Sequence, residues 1–353
     1  MTIDELARLA TSEFLNRMAS EWVADPNLVI HAARAAEFPF LDKGASNNGL
    51  FLELTVSSNP TSGIPQNLVL KAATNVAGTA EREILFYKLL AERGQIPEVP
   101  RCFGTHWLED SDMGLLLLEN PAVNAIVYNG PIEKHLPHYR TAARTLAALH
   151  AQWWNHPKLG EGNFAVHWTD DLLTSATAWA NVGLATLAAS HLGSVSDPGT
   201  AIINEIIAIV PELLAARVEG RQNLCVNHGD AALWNFVIDE DNPSISKIVD
   251  FQLWCVNPPA WDMGYMIYLL WPTEFRRRFG QDIIQTYLDE LGHRGVQYSK
   301  EDFYEDLRIC IIGLITLNLA NFNLGIWQHE QVRERLSWIM YAYHELGCEK
   351  LLR

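Results

Sequence analysis

The stretch CVNHGDAALWNFVID, residues 225–239, followed by SKIVDFQ at residues 246–252, governs how this chain reads. Two short apolar runs, FVI (236–238) and KIV (247–249), flank the turn formers Asp239, Glu240, Asp241, Asn242 and Pro243. This pattern predicts a small hairpin that brings Asn235, just before it, close to Asp250, just after it. His228 and Asp230 stand immediately upstream. The spacing Asp-x4-Asn, with a second Asp 15 residues later, suits phosphoryl transfer to a hydroxyl. One carboxylate must face the acceptor hydroxyl and take its proton. A carboxylate and an amide oxygen must hold magnesium against nucleotide phosphates. Any one of these residues alone reads as a turn residue or cap. The ordered set, ending in an apolar strand and Asp250-Phe251, is much harder to reach by chance.

Upstream of this stretch, Leu50 to Val56 and Asn67 to Ala72 are β-leaning apolar runs. SSNPTSGIPQ (57–66) between them is rich in turn formers, so a hairpin is expected. Lys71 lies at the end of the second run, where its ammonium can point at nucleotide phosphates. Glu83, in the helical stretch 79–91, follows 12 residues later and can pair with Lys71. Glu81 is its rival, but Ile84, Phe86 and Tyr87 give Glu83 an apolar anchoring face. The segment 42–49 offers Gly44 and Gly49 for close backbone approach, with Ser46 and Asn47 as hydrogen-bond donors to phosphate. It is neither a Rossmann fingerprint nor a Walker loop. GLLLL (114–118) predicts a buried strand that stops at Glu119, Asn120 and Pro121.

Helical spacing recurs over residues 4–23, 134–154, 171–192 and 200–218, and again from Asp262 to the end. Together these segments predict an α+β, bilobal protein with a small β-rich N-terminal lobe (1–120) and a larger, mainly helical C-terminal lobe (121–353).

Composition narrows the function classes. The chain has 353 residues, 48% hydrophobic and 19% charged, with a net charge of −16. That is globular composition. The acidic balance and the lack of a basic run argue against nucleic acid as a partner. Arg276 to Arg278, the densest basic cluster, reads as a helix surface. Five dispersed cysteines without CxxC spacing fit reduced thiols in a cytoplasmic protein. The first 22 residues carry acids where a signal peptide needs bases. The apolar stretch Ile309 to Leu317 is too short to span a bilayer and predicts a buried core helix.

Taken together, Lys71, Glu83, His228-Gly229-Asp230, Asn235 and Asp250-Phe251 resemble, in order, the motifs of the aminoglycoside phosphotransferase and choline kinase superfamily, which has a protein-kinase-like fold. LAALHAQWW, starting at Leu146 and containing His150, and DFQLWCVNPPAWDMGYMI (250–267) also match. The latter is closest to the ecdysteroid-kinase-like branch. The resemblance covers roughly residues 40–270. It implies Asp230 as catalytic base, Asn235 and Asp250 as magnesium ligands, and Lys71 with Glu83 on the phosphates of ATP or GTP. It further implies that Asp262 braces the catalytic loop and that the backbone from Leu118 to Asn120 meets the adenine. His228 and His150 are expected to be structural hydrogen-bonding groups. The sequence departs from the family pattern in the phosphate loop, in Gln252 where Gly is usual, and in Trp234 beside Asn235.

Only 11 residues separate Asp250 from Asp262, which leaves no room for the activation segment of a protein kinase. The expected acceptor is therefore a small metabolite, antibiotic or steroid-like alcohol. The net charge fits a cationic acceptor, and the twelve tryptophans could line an aromatic pocket. The alternative reading is a catalytically inactive nucleotide-binding module of the same fold. A metal-dependent hydrolase fits poorly with Lys71 and the hairpin spacing.

Overall fold

The computed structural model describes residues 1–20, 22, 29–37, 49–58, 63–93, 96–122, 125–126, 128, 132–164, 170–189, 197–220 and 222–352. The strands are β1 (Ile30–Glu37), β2 (Gly49–Ser58), β3 (Asn67–Thr74), β4 (Cys102–Leu108), β5 (Met113–Glu119), β6 (Cys225–Asn227), β7 (Phe236–Ile238), β8 (Ser246–Ile248) and β9 (Cys255–Asn257). The helices are α1 (Ile3–Leu9), α2 (Ser12–Ser20), α3 (Thr79–Arg93), α4 (Leu136–Trp153), α5 (Asp170–Ala189), α6 (Asp197–Glu219), α7 (Ala260–Met263), α8 (Thr273–His293), α9 (Lys300–Asn323) and α10 (His329–Glu345). They belong to two compact units: residues 1–141 with 234–254, and residues 142–233 with 255–353. This is the expected α+β, protein-kinase-like class of fold.

In the first unit, an antiparallel sheet runs in the order β1-β2-β3-β5-β4. Strand side chains alternate between faces. Leu52, Leu54 and Val56 of β2, Leu68, Leu70 and Ala72 of β3, and Leu115 and Leu117 of β5 therefore share one buried face. Leu6 of α1 and Phe14, Leu15 and Met18 of α2 complete that core. The same alternation puts Lys71 on the opposite face, in register with Phe51 of β2 and Leu116 of β5. The hairpin expected between 50–56 and 67–72 is present as β2 and β3.

One local expectation needs correction, and one strand carries no sequence signal. The helical pattern over residues 4–23 is two helices, not one. Ala10 leaves helical geometry at ψ 47°, and the Thr11 hydroxyl then accepts the Phe14 N–H (3.2 Å) to start α2. Strand β1, IHAARAAE, has no strand-like composition. Seven-residue pairing with β2 and packing of Ala33 and Ala35 on the core override the helical preference of alanine.

In the second unit, α9 is the central helix. Phe303, Leu307, Cys310, Ile311, Ile312, Leu314, Ile315 and Leu319 are all buried along it, which includes the stretch read as a core helix. Helix α5 lies against it so closely that a Cβ at Gly183 would collide with the Leu319 carbonyl. The Asn318 side chain donates to the Val332 carbonyl of α10 at 3.2 Å. Strands β6 and β9 form a separate antiparallel pair, Cys225 opposite Asn257. Among the described residues no helix is long and apolar enough to cross a membrane.

Candidate functional site

In the first unit a buried ion cluster forms on the face of β3 away from the core. Lys71 is 2% exposed and Glu83 is fully buried. The Lys71 Nζ lies 2.8 Å from Glu83 Oε1 and 2.8 Å from Asp250 Oδ1. Burial alone would discharge a lysine. Here the carboxylates of Asp250 and Glu83 outweigh burial and hold Lys71 above its ordinary value. The rival Glu81 is engaged elsewhere, by the Asn75 side chain (3.4 Å). The apolar face of Ile84, Phe86 and Tyr87 favoured Glu83 in the sequence, and the ion pair of Lys71 on α3 is with Glu83.

Helix α3 also holds the Asp250 segment. The Phe251 N–H donates to Glu83 Oε1 at 3.3 Å. The Phe86 ring stacks on Phe251 with centroids 3.7 Å apart. The Trp254 indole donates to the Arg82 carbonyl (2.8 Å), and the Arg82 guanidinium donates to the Trp254 carbonyl (2.6 Å). Asp250 itself has φ 69°, a left-handed conformation that costs on the order of 1–3 kcal/mol in a non-glycine residue. These contacts on Phe251, Trp254 and Asp250 itself fix it there. Lys71→Ala would leave Glu83 buried without its cation. It should cost about 3–5 kcal/mol of stability in urea unfolding, and adding Glu83→Gln should recover part of that loss. A cost below about 1 kcal/mol would mean that the pair is not held in solution.

The predicted hairpin is present: Phe236 faces Ile248 across β7 and β8. The Val249 N–H donates to the Asn235 carbonyl at 3.0 Å, so Asn235 and Asp250 stand at the open end of the same ladder. The rest of the unit clamps the hairpin. The Ile248 N–H donates to the Glu98 carbonyl (2.7 Å), and the Tyr128 hydroxyl donates to the Phe236 carbonyl (2.6 Å). Asn235 is 5% exposed, and the Asp250 carboxylate is partly open. One amide oxygen and one carboxylate make a hard donor set that fits magnesium, which takes few protein ligands and keeps water and phosphate oxygens. Among the described residues no cluster of three His, Cys, Asp or Glu side chains could bind a metal by itself.

Glu119 and Asn120 end β5 with their polar groups engaged. The Glu119 carboxylate accepts from the Arg101 N–H (3.2 Å) and the Lys247 ammonium (3.3 Å). The Asn120 amide donates to Glu53 (3.0 Å) and accepts from the Ala122 N–H (2.9 Å). Their own N–H groups donate to the carbonyls of Arg101 and Asn67. Ser46, with the rest of 42–48, lies outside the described residues.

In the second unit the fully buried Asp262 organises the loop that carries Asp230. Its carboxylate accepts the N–H groups of His228 (2.6 Å) and Gly229 (2.9 Å) and lies 3.1 Å from His150 Nε2. His150 Nδ1 is 2.7 Å from the Tyr287 hydroxyl. With its proton on Nε2, His150 donates to Asp262 and accepts from Tyr287. The Asp230 N–H donates to His228 Nδ1 at 3.2 Å, so that nitrogen is an acceptor. Gly229 turns the chain at φ 86°, a geometry that favours glycine. His228 and His150 are thus hydrogen-bonding supports.

Sequence reasoning missed Tyr265, whose hydroxyl hydrogen-bonds to Asp230 and whose phenol burial pushes well above its ordinary value, so it stays a donor. Its position three residues after Asp262, on the same helical turn, was a usable signal. It also missed Arg335, which comes from the C-terminal region where no motif applies.

The first unit holds a lysine between two carboxylates and an amide and a carboxylate at a hairpin mouth, and the second unit holds an aspartate on a braced turn. Residues 37–298 match the family described as the phosphotransferase enzyme family, and the chain belongs to that family. By that membership it is a phosphotransferase. Choline kinase from Cryptosporidium parvum Iowa II shares the fold, with TM-score 0.56 and 11% identity over 91% of each chain. A choline/ethanolamine kinase family protein from Mesorhizobium loti aligns with TM-score 0.53 and 15% identity over 98% of this chain and 99% of its own. A microcompartment-associated aminopropanol kinase aligns with TM-score 0.50 and 14% identity over 90% of each. No curated protein matches the chain.

Proposed function

We propose that the protein transfers the γ-phosphoryl group of ATP to a hydroxyl of a small metabolite, antibiotic or steroid-like acceptor. The observation that carries this reading is the Lys71–Glu83–Asp250 cluster, with both ion-pair contacts at 2.8 Å or less. An ammonium so buried and so firmly held is placed to bind phosphate oxygens at little ordering cost. Residues 1–120 would act as the nucleotide-binding lobe. Ser46 and its loop would cradle phosphates, and the backbone at Glu119 and Asn120 would meet the base. Residues 121–353 would carry the catalytic loop and the acceptor pocket.

Asp230 would accept the hydroxyl proton as the acceptor oxygen attacks phosphorus. Tyr265 and the braced turn hold its carboxylate in place. Asn235 and Asp250 would hold magnesium. When bound, magnesium neutralises charge on the phosphates and orients the transferring group. Five free cysteines support a cytoplasmic setting, and the segment 250–267 supports kinship with the ecdysteroid-kinase-like branch.

The test is transfer of label from γ-labelled ATP, with magnesium, to pooled aminoglycosides, macrolides, sterols, amines, nucleosides and sugars, with unlabelled GTP as competitor. A labelled product that requires magnesium and vanishes in Asp230→Asn is expected. Nucleotide binding with no transfer to the pool or to cell extract would favour the inactive nucleotide-binding module instead.

A further inference from the structure

Within the second unit, Arg335 of α10 lies within electrostatic reach of Asp230, the carboxylate that the proposed reaction needs. Its guanidinium carbon sits 3.8 Å from the centroid of the Trp327 ring. That stacking fixes the guanidinium plane and leaves its N–H edge to bind. The side chain is half-buried, and its Nη1 is buried without a hydrogen-bond acceptor among the described residues. Helix α10 packs on the segment 264–269 that carries Tyr265. Arg335 feels the charge of Asp230, and burial pulls it below its ordinary value. No described carboxylate forms an ion pair with it, whereas Arg217, Arg276, Arg277 and Arg294 each have one. The charge of Asp230 reaches Arg335 only through space, so its desolvated, immobilised N–H edge, which has no hydrogen-bonded carboxylate, can be completed by an anion that arrives from outside.

We propose that Arg335, pinned on Trp327, binds an anionic group of the acceptor, so that the substrate is a hydroxyl-bearing acid whose hydroxyl is presented to Asp230. This rests on the kinase reading above and reverses the cationic acceptor that the net charge suggested. A carboxylate or a phosphate monoester would each meet the planar N–H fork with two hydrogen bonds.

The test has a binding arm and a transfer arm. The probes are 4-hydroxybutyrate, gluconate and cholate as carboxylates, glycerol 3-phosphate as a phosphate, the methyl esters of the three acids, and choline, ethanolamine and kanamycin as cations. Binding is read by thermal shift and tryptophan fluorescence, without nucleotide. Transfer is read with γ-labelled ATP and magnesium. At least one anionic probe should stabilise the wild-type protein, and the ester of an effective acid should not. Arg335→Gln should abolish that shift and raise KM for the anion by about 10- to 100-fold with kcat changed less than about threefold. Arg335→Lys should recover part of the affinity. Unchanged circular dichroism and an unfolding midpoint no lower than that of the wild type in Arg335→Gln would show that the fold is intact.

Carboxylate and phosphate probes compete in separate arms, so the tighter one names the anion. The proposal is overturned if no anionic probe binds the wild type, if Arg335→Gln binds the anions equally well, or if label moves only to neutral or cationic probes. Anion binding that depends on Arg335, with no transfer to any probe or to cell extract, would uphold the site and count against the kinase reading. Transfer to amines without anion binding would do the reverse.

Discussion

Asp230→Asn should lower kcat by at least about 10²–10⁴-fold while MgATP affinity changes little. A positioned base contributes about that much to proton transfer, and an amide cannot accept the acceptor's proton. The substitution keeps the side chain's size, and the Tyr265 hydroxyl can still donate to the amide oxygen. The turn itself is held by backbone groups, through the N–H bonds of His228 and Gly229 to Asp262. The proposed phosphate and metal groups, Lys71, Asn235 and Asp250, are untouched. Steady-state kinetics beside nucleotide titration would check this. Turnover within about threefold of wild type would remove Asp230 from the base role. Loss of nucleotide affinity in parallel would mean that the variant disturbs more than proton transfer.

Asp262→Ala should cost about 3–5 kcal/mol of stability. The carboxylate is fully buried and accepts two backbone N–H groups, with His150 as a third partner. Its removal leaves the His228 and Gly229 N–H groups buried without an acceptor, and each such orphan costs about 1–3 kcal/mol. Urea unfolding would read the loss as a lowered midpoint at unchanged slope. Asp262→Asn keeps one oxygen acceptor and should cost clearly less. If the alanine variant unfolds within about 1 kcal/mol of wild type, water reaches the loop and the brace is not what holds it. Activity should fall with either change even at temperatures where both variants are folded, because the turn that presents Asp230 loses its anchor.

Much of the candidate machinery is written locally. His228, Asp230, Asn235 and Asp250 lie within 23 residues, on a turn and a hairpin whose geometry follows from turn formers and short apolar runs. Lys71 and Glu83 are 12 residues apart on consecutive elements. Short loops place such residues near each other whatever the rest of the chain does, so sequence order alone carries the signal. The break between α1 and α2 was less legible. The apolar period runs through it, and a threonine cap at Thr11 decides it. Strand β1 was not legible at all, because its alanines favour a helix and only pairing with β2 makes them extended.

Composition and motif order therefore determined the α+β class, the ordered set from Lys71 to Asp250, and the absence of room for a protein-kinase activation segment. Tertiary structure decided how Asp262 reaches back to His228 and Gly229, and that Arg335 comes within electrostatic reach of Asp230 from more than a hundred residues away. The difference is physical. Local choices rest on backbone propensity and turn chemistry, which a few neighbouring residues specify. The partner of a buried charge is settled by the packing of whole helices, and no short window of sequence contains that information.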